Sequence, residues 1–319
     1  MASSRRTFLQ LAGASALATM PLTAMAETSL TFIVPLGTGG ALDRLARRVA
    51  KHLPDISDYN VRVENRPIMD GGDGYRDFLG SPADGSTVLV WFQPAAANYA
   101  DGFDLKDLSI INVQEIEPPI LAARSDLGWT TLADFVAEAR RRPNELRFGA
   151  GGNQLVALRQ FEQLGIKVRF IEYGSGGKAR AGLLRGEIDL TMGSLKAIQK
   201  LDDSITPMAI MAPRRLRLWP EIPTIVEAVK FAEAKPIFGA AYRFFAVLRE
   251  VEETHPDRFK TLVSSFERLT LEHEAFRQAS GGHTQWFGPV ESASLVARAH
   301  AQFAELKTGS IVPATYPKK

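Results

Sequence analysis

Three glycine-rich turns contain the residue types that could hold an anion. They read PLGTGGALD at residues 35–43, GAGGNQ at 149–154 and YGSGGK at 173–178, and each lies between an apolar segment and a helix-like segment. Glycine lets the backbone approach a ligand closely, and a helix start presents unpaired N–H groups at the positive end of the helix dipole. Each turn alone is also compatible with a tight connection that binds nothing, whereas three such junctions together favour a shared anion site.

The acidic and hydroxyl side chains near these turns do not form a recognised catalytic pattern. Asp43 stands at the predicted start of a helix, where its carboxylate could cap the helix or contact a ligand, and the sequence leaves both roles open. Ser175 and Ser194 lack the Gly-x-Ser-x-Gly setting of a nucleophile. The first turn is neither a phosphate loop nor a dinucleotide-binding turn. The sequence therefore favours binding over catalysis, with no catalytic residues predicted.

The side chains that bind metals are scarce in this chain. It has no Cys and five His residues, and no two His stand at ligand spacing in the sequence. Without cysteine there are no disulfides, thiolate metal sites or iron–sulfur clusters. We therefore expect no cofactor and no metal ligands.

Strand-like and helix-like segments alternate along the chain, which is typical of an α/β fold with a parallel or mixed sheet. Residues 30–34, 87–92 and 108–113 are apolar runs that we expect to be strands. One stripe of the helix after the first turn carries Leu42, Leu45, Ala46, Val49 and Leu53. Turns of this kind lie at the carboxyl ends of strands, so two facing lobes would bring all three turns to one cleft.

Residues 1–26 have the features of a twin-arginine export signal, with Arg5-Arg6, an uncharged run and Ala24-Met25-Ala26. We expect cleavage after Ala26 and a periplasmic protein. Because this segment contains two arginines and no acid, its removal changes the 38 basic and 36 acidic residues to 36 and 36. A formally neutral chain does not favour a nucleic-acid partner. No later run of about 18 apolar residues predicts a membrane span.

Five short motifs follow one another along the chain after residue 26. They are Pro35, Gly39, Gly40 and Asp43 in the first turn; Val63-Glu64-Asn65-Arg66-Pro67; Pro82, Asp84, Gly85 and Thr87; Tyr173, Leu183, Leu184, Gly186 and Asp189; and residues 218–224, LWPEIPT. Together they resemble the motifs of the periplasmic substrate-binding proteins of tripartite tricarboxylate transporters, often called Bug-type receptors. The resemblance covers essentially the whole chain after residue 26.

The resemblance implies a two-lobed periplasmic-binding-protein-like α/β fold of type II, with mixed sheets flanked by helices and a cleft between the lobes. We expect residues 27–105 and 214–319 to form lobe I and residues 106–213 to form lobe II. The ligand-binding residues implied by position are Gly39, Gly40, Asp43, Gly151, Tyr173 and Ser194.

The resemblance also implies that the protein binds its ligand without changing it chemically. We expect a monomeric receptor that captures a small-molecule carboxylate, either a di- or tricarboxylate or an aromatic acid. Its partners would be the membrane subunits of a tripartite tricarboxylate transporter. Two alternatives stay open. One is an exported cofactor-dependent enzyme, since the twin-arginine route often carries such proteins. The other is a ligand sensor for a membrane signalling partner, which sequence does not separate from a transport receptor.

Overall fold

The fold is taken from a computed structural model, which describes residues 29–67, 73–93, 95–96, 103–152, 154–198, 203–216, 219–231, 236–281 and 284–307. The predicted export segment and cleavage site, and part of the motif at 218–224, lie outside these residues. Within the described ranges, no helix combines the length and the apolar character needed to cross a membrane.

Strands and helices alternate as the sequence predicts. The first elements are β1 (Ser29–Val34), α1 (Ala41–His52), β2 (Asn60–Asn65), α2 (Gly74–Leu79), β3 (Thr87–Gln93), β4 (Leu108–Glu117), β5 (Ile120–Arg124), α3 (Leu132–Arg141), β6 (Arg147–Ala150), α4 (Gln154–Gln163) and β7 (Arg169–Glu172). They are followed by α5 (Gly176–Leu184), β8 (Leu190–Gly193), α6 (Leu195–Ile198), β9 (Ile205–Ile210), α7 (Ile225–Ala228), β10 (Ala241–Leu248), α8 (Arg249–Thr254), α9 (Pro256–Leu271), α10 (Glu274–Ala279) and α11 (Pro289–Lys307).

Two five-stranded mixed sheets form the centres of two lobes. The first has the strand order β2-β1-β3-β10-β4 and the second has β7-β6-β8-β5-β9. In each sheet the first three strands are parallel, and the fourth runs antiparallel to its third-strand neighbour. The two lobes therefore share one topology, and the expected two-lobed α/β architecture is confirmed.

Apolar periodicity explains how the first lobe is assembled. Leu42, Leu45, Ala46 and Val49 of α1 are buried, and they belong to the same core cluster as the strands β1 and β3. Helix α9 adds Leu262 and Phe266 to this core. A separate cluster around Phe135, Phe148 and Phe161 forms the core of the second lobe.

The boundaries between the lobes differ from the expected ones at both crossovers. We expected lobe II to begin at residue 106, but β4 pairs with β10 along its length and so belongs to the first sheet. We expected lobe I to resume at residue 214, but Ile225 and Phe238 pack in the second lobe's core. A strand belongs to the lobe in which it finds its pairing partner, and the apolar pattern of one segment does not contain that information.

The last helix joins the two cores. Val296 of α11 is buried in the core of the first lobe, whereas Ala299 and Phe303 are buried in that of the second. Polar contacts follow the same division, because His300 lies 3.1 Å from Gln93 and the Gln302 side chain donates to the Phe238 carbonyl at 3.1 Å. Helix α11 therefore spans the junction of the lobes.

Candidate functional site

The three glycine-rich turns meet in the cleft between the lobes. The first follows β1, and the other two follow β6 and β7. The Gly37 N–H donates to the Gly174 carbonyl at 3.1 Å, and the Ser175 hydroxyl donates to the Thr38 carbonyl at 3.3 Å. These bonds run from one lobe to the other, so the structure shows a closed arrangement of the cleft.

Two of the glycines are required by close packing in this closed arrangement. A Cβ atom added at Gly177 would lie 2.6 Å from the Gly39 carbonyl oxygen, which belongs to the other lobe. At Gly151 an added Cβ would lie 2.4 Å from the carbonyl carbon of Ser175. At Gly176, in contrast, an added Cβ would meet no atom within 4 Å. Contact between the lobes thus depends on the absence of a side chain at Gly177.

The turns enclose a cavity of about 60 Å³. At roughly 10–15 Å³ for each ordered water, this space suits a small molecule and excludes a peptide chain or a nucleic acid. Much of the wall is apolar, with Leu36, Phe92, Met192, Ile198 and Ala241. A ligand with an apolar body and a polar head matches such a wall.

Helix α1 points an uncapped N-terminus at this cavity. No side chain caps the helix at Gly40, and the N–H groups of Ala41 and Leu42 have no acceptor in the part of the chain that the structure describes. The buried Asp43 carboxylate instead accepts the Gly39 N–H at 2.9 Å and the Arg47 Nε–H at 2.9 Å. Asp43 therefore holds the turn in shape, and the free backbone donors are left for a ligand.

Helix α5, on the opposite wall, has a capped N-terminus. The Ser175 Oγ accepts the Lys178 N–H at 3.2 Å, and its own hydroxyl donates across the cleft to Thr38. The other hydroxyls of the cavity also have protein acceptors, since Ser194 donates to Glu117 at 2.9 Å and Thr191 donates to the Gly149 carbonyl at 2.7 Å. These hydroxyls already donate their hydrogens to protein atoms.

Two arginines, one from each lobe, line the cavity without an ion-pair partner among the described residues. Arg44 lies in the first turn of α1 and donates to the Gly39 carbonyl at 2.6 Å. Arg180 lies in α5 and makes no ion pair or hydrogen bond with the described residues. Burial lowers the pKa of both guanidinium groups. The positive charges of Arg180 and Arg243 lower the pKa of Arg44 further, and the more weakly acting Glu117 and Glu115 offset this lowering only in part. Each arginine is thus short of a counter-charge.

A buried charge network closes the back of the cavity. Arg243 bonds to Glu115 at 3.0 Å and to Glu117 at 2.7 Å, and Arg48 pairs with Glu115 from the other side. Burial lowers the pKa of Arg243, but Glu117 and Glu115 outweigh burial and raise it overall. Burial likewise raises the pKa of Glu115, but Arg243 and Arg48 lower it below its ordinary value. The two acids are therefore already neutralised by these neighbours.

Four of the six residues implied by the resemblance lie at the cavity and two do not. Gly40, Asp43, Gly151 and Ser194 line it. Gly39 is not among the lining residues, and its positive φ of 77° shapes the turn that holds its neighbours.

Tyr173 also lies outside the lining. Its hydroxyl donates to Glu187 at 3.0 Å. Burial, together with Glu187, raises the pKa of this phenol to about 12. Direct ligand contact by Gly39 and Tyr173 stays a prediction, as it does for the other four residues.

Sequence reasoning missed Arg44, Arg180 and Arg243. Arg44 is not part of the apolar stripe by which α1 packs on its own sheet. It nevertheless faces the other lobe, and only the closed arrangement shows this. A usable signal was present, because Arg44 stands four positions after the Gly39-Gly40 pair and Arg180 three positions after the Gly176-Gly177 pair.

A second cluster of titratable residues lies outside the cleft. His273 lies 3.0 Å from Asp55, and His52 lies 3.5 Å from the same carboxylate. These three residues are the only His, Asp or Glu group among the described residues whose spacing would suit a metal. However, the His273 Nδ1 accepts the Phe276 N–H at 3.0 Å, so Nε2 carries the proton and donates to Asp55. A metal-ligating imidazole donates its second N–H instead, so this arrangement fits a helix cap better than a metal site.

Two proteins with related sequences have similar percentages of identity to this chain. A UPF0065 protein from the TAR-I ttuE-ttuC' intergenic region of Agrobacterium vitis is 26% identical over 226 residues, covering 65% of this chain and 65% of its own length. The protein BugT of Bordetella pertussis is 28% identical over 213 residues, covering 62% of this chain and 65% of its own length. The chain thus spans a little less than two thirds of the length of these relatives.

Solved structures share the whole two-lobed architecture. R. palustris Rpa4515 with adipate superposes with a TM-score of 0.76 at 22% identity, covering 87% of this chain and 95% of that one. MatC from Rhodopseudomonas palustris with bound malate gives a TM-score of 0.75 at 19% identity, covering 87% and 98%. Identities this low establish the fold alone.

The family model described as tripartite tricarboxylate transporter family receptor, TctC, matches residues 45–249. This match covers more than half of the 319 residues. It includes the part of α1 that carries Arg47, both helices that follow the second-lobe turns, and the strand that carries Arg243. The chain therefore belongs to the TctC family of tripartite tricarboxylate transporter receptors.

Proposed function

We propose that this protein is an exported receptor that captures a small organic acid between its lobes and releases it unchanged to a tripartite transporter in the membrane. The observation that carries the proposal is the pair Arg44 and Arg180, two partly buried cations that line one cavity without an acidic partner among the described residues. A carboxylate would supply the missing charge. Family membership supports the receptor role, and relatives of the same fold hold adipate and malate.

The ligand carboxylate would take its hydrogen bonds from both lobes. The uncapped start of α1 offers the N–H groups of Ala41 and Leu42 together with the positive end of the helix dipole. Arg180 approaches from α5 with a planar guanidinium, which suits a carboxylate in a bidentate arrangement. The lining hydroxyls would act chiefly as fixed neighbours, because their hydrogens already bond to protein acceptors.

The apolar wall would determine which acids fit. Phe92 and Met192 lie on opposite sheets, and Ile198 follows from α6. Burying a CH₂ group contributes about 0.8 kcal/mol. An acid with a short apolar body would therefore bind better than a strongly hydroxylated acid of the same charge.

A thermal-unfolding screen over organic acids tests this function. Adipate, malate, citrate, benzoate and nicotinate are compared with the neutral diamides of adipate and malate as matched controls. An acid present at 100 times its dissociation constant should add about 2.7 kcal/mol to the free energy of unfolding, whereas its amide should add little. The proposal fails if no acid stabilises the protein, or if the amides stabilise it as much as the acids.

The same samples test the two alternative functions. Acids recovered after long incubation with the protein should be chemically unchanged, and the purified protein should be colourless. Turnover of any acid, or the absorbance of a bound cofactor, would favour an enzyme. Acid-dependent binding to transporter subunits, with none to a signalling protein, would favour transport over sensing.

We further propose that residues 1–26 direct export by the twin-arginine route and are removed after Ala26. The support is the sequence pattern around Arg5-Arg6. The mass of the protein from a periplasmic extract should correspond to a chain that starts at Glu27. In solution this protein should be a monomer. An Arg5→Lys, Arg6→Lys variant should accumulate unprocessed in the cytoplasm, and normal processing of that variant would exclude the twin-arginine route.

A further inference from the structure

Arg44 and Arg180, which form no ion pair with the described residues, belong to different lobes but face the same cavity. Arg44 is carried by α1 of the first lobe and Arg180 by α5 of the second. Their mutual distance therefore depends on how far the cleft is closed. In the closed arrangement the turns that precede both helices touch, with 3.1 Å between Gly37 N and Gly174 O.

The acids near the cavity offset these two charges only in part, because burial, Arg180 and Arg243 lower the pKa of Arg44 overall although Glu117 and Glu115 raise it. Glu117 bonds to Arg243, and Glu115 is shared by Arg243, Arg48 and, at 3.9 Å, Lys196. Asp43, which lines the cavity as Glu117 does, is held by Arg47 at 2.9 Å. Each of these carboxylates already faces at least one cation, so a surplus of positive charge remains at Arg44 and Arg180.

Closure brings this surplus into a poorly hydrated space. Like charges repel more strongly where water is displaced, because the effective dielectric constant falls. The closed cavity, at about 60 Å³, holds only a few water molecules that could screen the two guanidinium groups. Closing the empty cleft therefore has an electrostatic cost that is absent in the open form.

We infer that Arg44 and Arg180 act as a charge gate, which holds the empty receptor open and permits closure only when an anion lies between them. This inference rests on the proposed function, since the gate regulates the same cleft. A bound carboxylate would neutralise both arginines at once and turn their repulsion into attraction. The anion then shifts the equilibrium because it interacts differently with the open and closed forms.

Two features of the structure agree with such a gate. Arg180 has no partner among the described residues that would offset its burial in the closed form, so a ligand is the partner that its position fits. Burial and the nearby charge of Arg180 both lower the pKa of Arg44, which is the direction that repulsion produces. The bond from Arg44 to the Gly39 carbonyl holds its guanidinium beside the first glycine-rich turn.

Distance measurements on the ligand-free protein test the gate. The chain has no cysteine, so Asp58→Cys in the first lobe and Lys167→Cys in the second, both exposed, accept a unique pair of spin labels. The protein is unfolded, washed and refolded to remove any acid that co-purifies. Double electron–electron resonance then gives the ratio of closed to open molecules for the unchanged cleft, for Arg180→Gln and for Arg44→Gln.

The matched control is Arg185→Gln, which removes the same charge from an exposed residue that pairs with Glu187 at the end of α5. Without an anion, Arg180→Gln should raise the closed-to-open ratio about tenfold over the unchanged protein, and Arg44→Gln should act in the same direction. Arg185→Gln should not change the ratio. Raising the salt from about 20 mM to about 500 mM should favour closure in the unchanged protein more than in Arg180→Gln.

Equal closed-to-open ratios for Arg180→Gln and the unchanged protein would overturn the gate, as would an equal rise in Arg185→Gln. This result is distinguishable from failure of the proposed function, because the ligand-free distances require no ligand. If adipate and malate stabilise the protein but both cleft variants stay open when empty, the receptor role holds and the gate is wrong. If no acid of the screen binds, the proposed function fails, and closure of the empty variants would then support the repulsion between Arg44 and Arg180 but not its release by a carboxylate.

Discussion

The helices α1 and α5 start in similar glycine-rich turns on opposite walls of the cleft, yet they supply the site with different groups. At α1 no side chain caps the N-terminus, and the one nearby carboxylate, Asp43, turns back to the Gly39 N–H. At α5 the Ser175 hydroxyl caps the helix. The first lobe therefore offers backbone donors and the second lobe offers a side chain, Arg180. A turn with the same glycine pattern need not perform the same task.

This difference also separates the residues that shape the cleft from those that would touch a ligand. Ser175 and Asp43 have their polar atoms directed at protein partners, whereas Arg180 has none among the described residues. Substitutions that alter one wall and leave the other intact therefore test whether the two walls supply different groups.

The largest effect on stability is expected from Arg243→Leu at the back of the first-lobe wall. The change leaves Glu115 and Glu117 buried without their main partner, which should cost about 3–5 kcal/mol of unfolding free energy. Because the pKa of Glu115 is lowered in the folded protein, its stabilising contribution is present above its unfolded pKa and is lost as the pH falls. The difference in unfolding free energy between the variant and the unchanged protein, measured by urea unfolding, should therefore narrow as the pH falls below the ordinary glutamate pKa of 4.5. Arg62→Leu, in an exposed pair, is the control, and an equally small loss in both variants would contradict the structure.

Gly177→Ala should have the largest effect on binding. The new methyl group would lie 2.6 Å from the Gly39 carbonyl in the closed form alone. We expect the affinity for the best acid of the screen to fall about 100-fold, or about 2.7 kcal/mol, with the thermal stability of the empty protein unchanged. Gly176→Ala, one position earlier, places its methyl group in open space. Similar affinities of the two variants in calorimetry would show that the turns do not meet as described.

Asp43→Ala tests whether the first turn depends on this carboxylate. The change leaves the Gly39 N–H without its acceptor and Arg47 without its partner. Unfolding free energy should fall by about 1–3 kcal/mol, and acid affinity should fall with it because the start of α1 loses its position. Asp43→Asn keeps an acceptor for Gly39 and should recover most of the stability. If both variants bind normally, Asp43 has no part in the site.

Gly40→Ser should give the first wall the cap that the second wall already has. Gly40 has φ −75° and ψ 172°, which any residue adopts, and an added Cβ would make only ordinary contacts, of which the shortest is 3.5 Å to the Ser175 Cβ. We expect roughly 0.3 kcal/mol of added stability together with weaker acid binding, since the serine oxygen would occupy a backbone donor. Ser175→Ala is the mirror experiment and should cost about 1 kcal/mol. Stronger binding by Gly40→Ser would show that the free donors of α1 are not used.

Tyr173→Phe should have the smallest effect. The hydroxyl donates to Glu187, away from the cavity lining, so its removal should cost about 0.5–1 kcal/mol of stability and leave acid affinity unchanged. The resemblance implies a ligand contact at this residue. A tenfold loss of affinity in calorimetry, without a matching loss of stability, would support that contact and move Tyr173 into the site.

The sequence was sufficient to predict the fold and the location of the cleft. Alternating apolar segments predicted β1 and β3, and the stripe of α1 packs as its periodicity indicated. The three glycine-rich turns do meet, because turns at the carboxyl ends of parallel strands share one edge of a sheet. These features follow from local pattern and from general rules of topology.

The functional side chains were harder to predict because their roles depend on the other lobe. Arg44 lies off the stripe that packs on its own sheet, and periodicity then indicates solvent. Nothing in residues 41–52 records that a second lobe closes over that face. The same limit applies to β4, whose place in the first sheet is fixed by pairing with β10, far away in the sequence. His52 and His273 likewise come together across more than two hundred residues.

Anchoring a single helix in both cores limits how the molecule can open. Val296 is fixed in one lobe, while Phe303, about two helical turns later, is fixed in the other. Because α11 is anchored in both cores, the lobes can rotate about this helix but cannot slide apart. The axis of opening must therefore pass close to α11. Ligand release would then be a rotation of small amplitude. A truncation that removes α11 would remove the link between the two lobes.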